Sequence, residues 1–271
     1  MEYKLICLDM DGTLLNDEKT ISIRNKEAIK KAHDKGVKIA ICTGRLFISA
    51  KYYANLIGIK APIIASNGSY IREKDRDEVI YQSLLNKEDC QIIWSIIKKY
   101  DFLSCFNTYD TIISNKPFSK GDFYYKINDS LPDNMKIKLK VLPEFEGAFS
   151  NNDILKFICL SKDYDNLRKA KEEIKGLNKF EVVSSSINNF EIINKNSSKG
   201  KAVEVLAGFY DLKKEEIMCI GDNENDLSMI EYAGMGVAMG NAEEFVKSKA
   251  NFITDTNNND GIAKVIEKFI L

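Results

Sequence analysis

Short apolar runs alternating with amphipathic stretches organise the first eighty residues. Tyr3–Leu8 is an apolar run of strand length, suited to a buried strand. Ser22 then stands where a helix cap is expected. Ala28, Ile29 and Ala32 follow at helical spacing, and Gly36 supplies the stop. Val37–Cys42 reads as a second buried strand, Leu46–Ile57 as a second helix and Pro62–Ala65 as a third short strand. Repeated strand–helix–strand units of this kind predict a parallel sheet with helices on both faces.

From about residue 83 the pattern changes. Asn86–Tyr100 reads as a helix with Ile92, Ile93, Ile96 and Ile97 inward, followed by a hairpin-like pair at 102–114 and a polar, aromatic-bearing stretch. Ile154–Leu160 and Phe180–Val183 read as strands flanking a helix at Asp163–Ile174. This mixture of antiparallel strands and helices predicts a separate α+β domain over 83–186. Near residue 187 the first pattern returns, with strands at Phe190–Ile193, Glu216–Ile220, Met235–Ala238 and Asn251–Ile253. Helices are expected at Ser198–Phe209, Asn225–Tyr232 and Gly261–Ile270. The chain therefore reads as an α/β core built from 1–82 and 187–271, with 83–186 inserted.

Composition narrows the chemistry. The 271 residues carry 39 Lys and Arg against 40 Asp and Glu, and a net charge of −1 argues against nucleic acid as the main partner. His33 is the single histidine, which excludes His-rich zinc sites and two-His metal triads within one chain. A Ser–His or Cys–His hydrolase would have to use this residue of a Lys-rich helical segment, so the chemistry falls to carboxylates, lysine and backbone. There is no CxxC pair, and Cys7, Cys42, Cys159 and Cys219 lie within or beside aliphatic runs as small buried hydrophobes. The amino terminus has charges at Glu2 and Lys4 and an apolar run too short for a signal peptide or a membrane span. A cytoplasmic protein without a membrane partner is the expectation.

The strongest chemical signal is Asp9-Met10-Asp11-Gly12-Thr13-Leu14, directly after the first strand. Ligands of open α/β sheets bind beyond the carboxyl ends of strands. Two aspartates two positions apart there would repel each other unless a divalent cation or a phosphoryl group lay between them. Gly221-Asp222-Asn223-Glu224-Asn225-Asp226 follows another strand, where Asp222 can supply a third hard oxygen ligand. Asn225 and Asp226 fall at the next helix start, where amide groups attract anions. Helix capping accounts for one such acidic residue but not for two acidic clusters at two strand ends. Thr43-Gly44-Arg45 ends the second strand and offers a hydroxyl and a glycine amide as a small anion cradle, although alone it reads better as a capped loop. Lys199 begins a helix, where the dipole disfavours a cation, a misfit that suggests it balances the acidic cluster and a bound phosphate. Lys201 competes with it and reads as a solvated lysine.

Together these four elements resemble the haloacid dehalogenase superfamily of phosphatases: DxDGT at Asp9 to Thr13, a strand-ending Thr43, Lys199, and GDxxND at Gly221 to Asp226. Ser66-Asn67-Gly68, Ser198-Lys199-Gly200 and the run from Gly234 to Asn241 look like its Cof-type branch. Members of that branch insert a type II, subtype B cap between the second and third motifs, and the 83–186 block has the place and size for it. The resemblance implies a Rossmann-like core in which Asp9 attacks phosphorus and forms an aspartyl-phosphate. Asp11 would then act as proton donor and acceptor. It implies Mg²⁺ held by Asp9, the backbone carbonyl of Asp11 and Asp222, and a phosphoryl group held by Met10, Thr43, Gly44, Lys199 and Asn225. Thr13, Arg45, Asn67 and Asp226 would support them, Asp226 by bracing Lys199 or a water on the metal. Implied substrates are small phosphorylated metabolites, phosphosugars first and phosphorylated cofactors such as flavin or pyridoxal phosphates behind them, with the protein a monomer or weak homodimer. A phosphomutase sharing the aspartyl-phosphate is the nearest rival. A non-catalytic phosphometabolite-binding module is another, but it predicts decay of the acidic constellation, which is present throughout.

Two further signals carry less. Gly234, Gly236 and Gly240 do not have dinucleotide spacing and read as turn, strand and turn. Phe102, Phe106, Tyr109, Phe118, Phe123, Tyr124 and Tyr125 could stack on a substrate, but most of them are expected to build the inserted domain's own core.

Overall fold

Residues 2–119, 121–184 and 186–271 are described by the computed structural model, and their strands fall into two sheets. The chain begins with β1 (Leu5–Asp9), α1 (Ile23–Asp34), β2 (Lys38–Cys42), α2 (Phe47–Ile57) and β3 (Pro62–Ala65). As expected, the Ser22 side chain caps α1, accepting from the Asn25 amide. A hairpin of β4 (Tyr70–Glu73) and β5 (Val79–Gln82) then leads out to α3 (Lys87–Ile97), β6 (Leu103–Asn107), β7 (Thr111–Ser114), α4 (Phe123–Asp129) and β8 (Lys138–Val141). Next come β9 (Lys156–Leu160), α5 (Tyr164–Gly176), β10 (Phe180–Val183) and β11 (Asn189–Asn194). The final stretch holds α6 (Lys199–Phe209), β12 (Ile217–Gly221), α7 (Leu227–Tyr232), β13 (Met235–Ala238), α8 (Glu244–Lys247), β14 (Phe252–Ile253) and α9 (Gly261–Phe269).

The larger sheet has the order β14-β13-β12-β1-β2-β3-β4-β5. Strands β14 to β3 run parallel and β4 and β5 run antiparallel, so the sheet is mixed at one edge. Pattern reading missed that edge because β4 and β5 are short and half polar. Side chains alternate across β1. Ile6 and Leu8 pack with α1, α2 and α9, while Leu5 and Cys7 pack with α6 and α7. Helices therefore cover both faces, which explains why β1 is buried at every position.

The second sheet has the order β10-β11-β9-β6-β7-β8 and is antiparallel except where β8 joins β7. Its strand β8 (KLKV) is largely exposed and has no apolar signature. One face packs on α3 and α5, through Ile93, Leu167 and Ile174 against Phe106, Phe157 and Phe190. The opposite face, with Cys105, Ile112 and Ile158, packs on α4 and on Leu46 at the start of α2. The strand expected over Phe190–Ile193 forms, but it pairs antiparallel with β9 and β10 rather than joining the outer segments. Its apolar content marks it as a buried strand; only its hydrogen-bond partners say which sheet it enters. Of the aromatic stretch, Phe102, Phe106 and Tyr124 are buried and Phe118 packs beside Tyr124, whereas Phe123 is 58% exposed.

The two crossings between the sheets run side by side. Ser197 Oγ donates to Ser83 Oγ at 2.9 Å, and Asn194 Nδ2 donates to the Leu84 carbonyl at 2.7 Å. All six cysteines are free and buried, and among the described residues no helix is long and apolar enough to cross a membrane.

Helices α6 and α7 touch so closely that a Cβ on Gly200 would lie 2.2 Å from the Ser228 carbonyl oxygen. Gly200→Ala is expected to lower unfolding free energy by about 1–3 kcal/mol through this overpacking. Gly208→Ala in the same helix meets open space and should stabilise by about 0.5–1 kcal/mol through helix propensity. Urea denaturation midpoints of the two variants check the contrast.

Candidate active site

The parallel strands at the centre of the larger sheet end at one edge, which brings their following loops together. Asp9 is the last residue of β1, Thr43 follows β2, Asp222 follows β12, and Lys199 is the first residue of α6. Gly12 makes their convergence possible. Its φ is +86°, and a Cβ there would sit 2.4 Å from Asp222 Oδ2, so the loop after β1 closes on Asp222 only without a side chain. Ser198 caps α6 by accepting from the Lys201 amide, and Lys199 turns inward from that first turn while Lys201 pairs with Glu204 at the surface.

Lys199 is 1% exposed, and its Nζ donates to Asp9 Oδ1 at 2.6 Å and to Asp226 Oδ1 at 2.5 Å. The other oxygen of Asp226 accepts the backbone amides of Asp222 and Asn223 at 2.9 and 3.0 Å. Asp226 is thus fully engaged in holding Lys199 and the loop after β12. Thr13 Oγ1 donates to Asp222 Oδ1 at 2.7 Å. Burial and the charge of Asp226 push the Asp9 carboxyl well above the usual carboxylate range, with Lys199 opposing them. Burial and Asp226 likewise raise Asp222 to about 6. Burial works against the Lys199 charge too, but Asp226 and Asp9 outweigh it and hold the ammonium above its ordinary value.

Asp11 faces a different environment. Arg45 Nε donates to its Oδ2 at 2.7 Å and Arg45 Nη2 to its Oδ1 at 2.6 Å, and Lys19 Nζ stands 3.2 Å from Oδ1. Burial disfavours its charge, but the guanidinium fork and Lys19 outweigh that and hold the Asp11 carboxyl below its usual range. The two aspartates of one short motif are therefore driven in opposite directions.

A third set of contacts joins the sheets. Thr43 Oγ1 accepts the Arg45 amide, and the Asn67 amide donates to the Thr43 carbonyl. Asn225 Nδ2 donates to Asn67 Oδ1 at 3.1 Å, and Asn67 Nδ2 donates to Glu191 Oε2 at 2.8 Å. Lys156 Nζ donates to the same Glu191 oxygen and to the Gly44 carbonyl, both at 2.7 Å. Lys156 and Glu191 lie in the second sheet and escaped the sequence reading. Their signal was present, since each is a charged residue inside an apolar strand (KFICL and FEII) and both are buried. Met10 has its side chain in the core of the larger sheet, which leaves its backbone to face the loops. Between the sheets lies a cavity of about 480 Å³ whose lining includes Asp9, Asp11, Thr43, Gly44, Arg45 and Asn225.

The donor set suits a hard divalent cation. Carboxylate oxygens of Asp9, Asp222 and Asp226 lie within 4.8 Å of one another, Asp9 and Asp226 buried and Asp222 half-buried, and among the described residues Lys199 is the cation paired with Asp9 and Asp226. Burial first, and then this excess of negative charge, raise Asp9 and Asp222. Because both Asp226 oxygens are taken, Asp9 and Asp222 are the residues with capacity to hold the ion.

The profile of the haloacid dehalogenase-like hydrolase family matches residues 6–266. The chain is 34% identical, over 98% of both sequences, to the 5-amino-6-(5-phospho-D-ribitylamino)uracil phosphatase YwtE of Bacillus subtilis. A haloacid dehalogenase-like hydrolase from Bacteroides thetaiotaomicron superposes with a TM-score of 0.85 at 29% identity, over 98% of this chain and 99% of that one. The subclass IIB sugar phosphatase BT4131 gives 0.80 at 28% identity, over 98% of each chain.

Lys199→Met would strand the Asp9 and Asp226 carboxylates away from water with no cation. The expected cost is about 3–5 kcal/mol, the usual price of breaking a buried pair. Chemical denaturation in metal-free buffer measures it; a loss below about 1 kcal/mol would contradict the structural weight given to this lysine.

Proposed function

The chain belongs to the haloacid dehalogenase-like hydrolase family, and from that premise we propose that it is a Mg²⁺-dependent phosphomonoester hydrolase acting on small phosphorylated metabolites. The observation that carries this reading is the buried acidic cluster at the strand ends, balanced only in part by Lys199 and joined to an open cavity. Such a site attracts a divalent cation first and, with it, a phosphoryl group.

In the proposed cycle Asp9 is the nucleophile. One of its carboxylate oxygens attacks phosphorus, forming an aspartyl-phosphate as the bond from phosphorus to the ester oxygen breaks. Asp11 delivers a proton to the departing alkoxide. It then takes one from the water that attacks the aspartyl-phosphate, releasing inorganic phosphate and restoring Asp9. The Arg45 fork keeps Asp11 ionised in this structure, which suits its part as proton acceptor; as donor it has to leave the fork carrying a proton, the one taken from the attacking water in the preceding turnover or, in the first, from solvent. Lys199, the Gly44 and Met10 amides, the Thr43 hydroxyl and Asn225 would hold the phosphoryl oxygens, and charge stabilisation of this kind dominates phosphoryl transfer. Asp9 and Asp222, with the Asp11 carbonyl, would hold Mg²⁺. When bound, the ion supplies the positive charge that offsets the repulsion between the Asp9 carboxylate and the phosphate dianion. The inserted segment acts as a cap that excludes water and reads the alcohol. The sugar phosphatase among its structural neighbours and the ribitylaminouracil phosphatase among its relatives nominate phosphosugars and phosphoribityl compounds as the first substrates to assay.

Asp9→Asn should lower phosphate release by about three orders of magnitude or more while leaving the circular dichroism spectrum and thermal midpoint close to wild type. Residual turnover near the wild-type rate at saturating Mg²⁺ would remove Asp9 as nucleophile. Chelation should abolish phosphate release and added Mg²⁺ restore it. Conversion of a phosphosugar to its isomer without free phosphate would favour the mutase instead.

A further inference from the structure

Two side chains lining the cavity between the sheets carry polar atoms that make no hydrogen bond of normal geometry among the described residues. Asn107, the last residue of β6, is fully buried beside the Tyr124 hydroxyl, and neither its Nδ2 nor its Oδ1 makes a hydrogen bond of normal geometry. Ser49, in the first turn of α2, is fully buried with its Oγ unpaired. A buried polar group without a partner costs about 1–3 kcal/mol, and few native groups are left so. The charged residues nearby show the contrast. Lys156 and Glu191 satisfy each other and bond to Gly44 and Asn67, which leaves them little to offer a ligand. Asn107 and Ser49 remain.

Their placement relates them to the reacting end of the site. Asn107 is the register partner of Lys156 across β6 and β9, so both project from the same face of the second sheet. Lys156 reaches the Gly44 carbonyl, which sets Asn107 beside the loop proposed to hold phosphate. From the other side, the Ile48 amide donates to the Tyr109 carbonyl at 3.2 Å, tying the start of α2 to the turn after β6. Ser49 is thereby carried to the same cavity. Farther along, its wall is apolar, formed by Tyr124, Ile127, Ile137 and Ile158.

We propose that Asn107 and Ser49 form a leaving-group subsite that takes phosphate esters of alcohols bearing further hydroxyl or carbonyl groups close to the ester. The inference rests on the phosphomonoesterase reading above and adds the residues that choose among its substrates. Asn107 offers two N–H donors and a carbonyl acceptor, and Ser49 a hydroxyl that both donates and accepts. Neighbouring hydroxyls or a carbonyl satisfy this set. An alkyl chain of the same length displaces water and leaves the groups unpaired, the situation in which polar sites discriminate most strongly.

The matched pair ribitol 5-phosphate and pentyl phosphate tests this, because the two esters share a five-carbon chain and differ in hydroxyls. The readout is the ratio of their kcat/KM values on one preparation, which cancels any loss of folded enzyme. Wild type should prefer the polyol ester. Asn107→Leu should cut that preference by about tenfold or more and Ser49→Ala by about threefold, the scale of one or two lost hydrogen bonds. Asn107→Ser supplies the same test if the leucine variant does not fold. A ratio unchanged in these variants, or a wild type that prefers pentyl phosphate, overturns the subsite. If wild type releases phosphate from neither ester nor from p-nitrophenyl phosphate, the hydrolase reading fails instead. Calorimetric titration of ribitol 5-phosphate into wild type and Asn107→Leu then decides the subsite alone, and equal affinities overturn it.

Discussion

One ammonium group sealed between two carboxylates sets the terms for the rest of this molecule. Lys199 enters from a helix start, where the dipole opposes a cation, and lies out of reach of water between Asp9 and Asp226. Its position is tolerable only because strand ends, the turn at Gly12 and the amides bound by Asp226 hold the carboxylates in place. The arrangement still leaves more acid than base. The cluster is held at a local cost in stability with its negative charge incompletely matched, which is the condition a divalent cation can relieve.

The same cluster explains why two aspartates two residues apart behave as different chemical groups. Asp9 is pushed toward its neutral form by burial and by Asp226, whereas the Arg45 fork and Lys19 hold Asp11 in its charged form. Environment assigns them separate chemistry, and Arg45 is the residue that divides it.

Sequence and structure meet unevenly. The gathering of Asp9, Asp222, Asp226 and Lys199 could be foreseen because each stands directly at a strand end or helix start, where local pattern and sheet topology together fix direction. The parallel alternation was legible for the same reason. What escaped was non-local. Phe190–Ile193 announces a strand but not its partners, and β8 lacks an apolar signature because it is largely exposed. Lys156 and Glu191 are charged residues in apolar strands, an anomaly visible in the sequence whose explanation, a buried pair bonded to the Gly44 and Asn67 loops, exists only in three dimensions. Asn107 gave no signal, since an asparagine at a strand end is ordinary until its surroundings prove to offer no hydrogen bond of normal geometry.

The parallel crossings between the sheets have a consequence of another kind. Because Ser83 meets Ser197 and Leu84 meets Asn194, the second sheet leaves and re-enters the first through what is in effect one gate, narrow and polar. Nothing in the order of the larger sheet depends on what hangs from that gate. The architecture is a socket: the attached module can be lengthened or reshaped at one junction without disturbing the strand order of the charged floor beneath it.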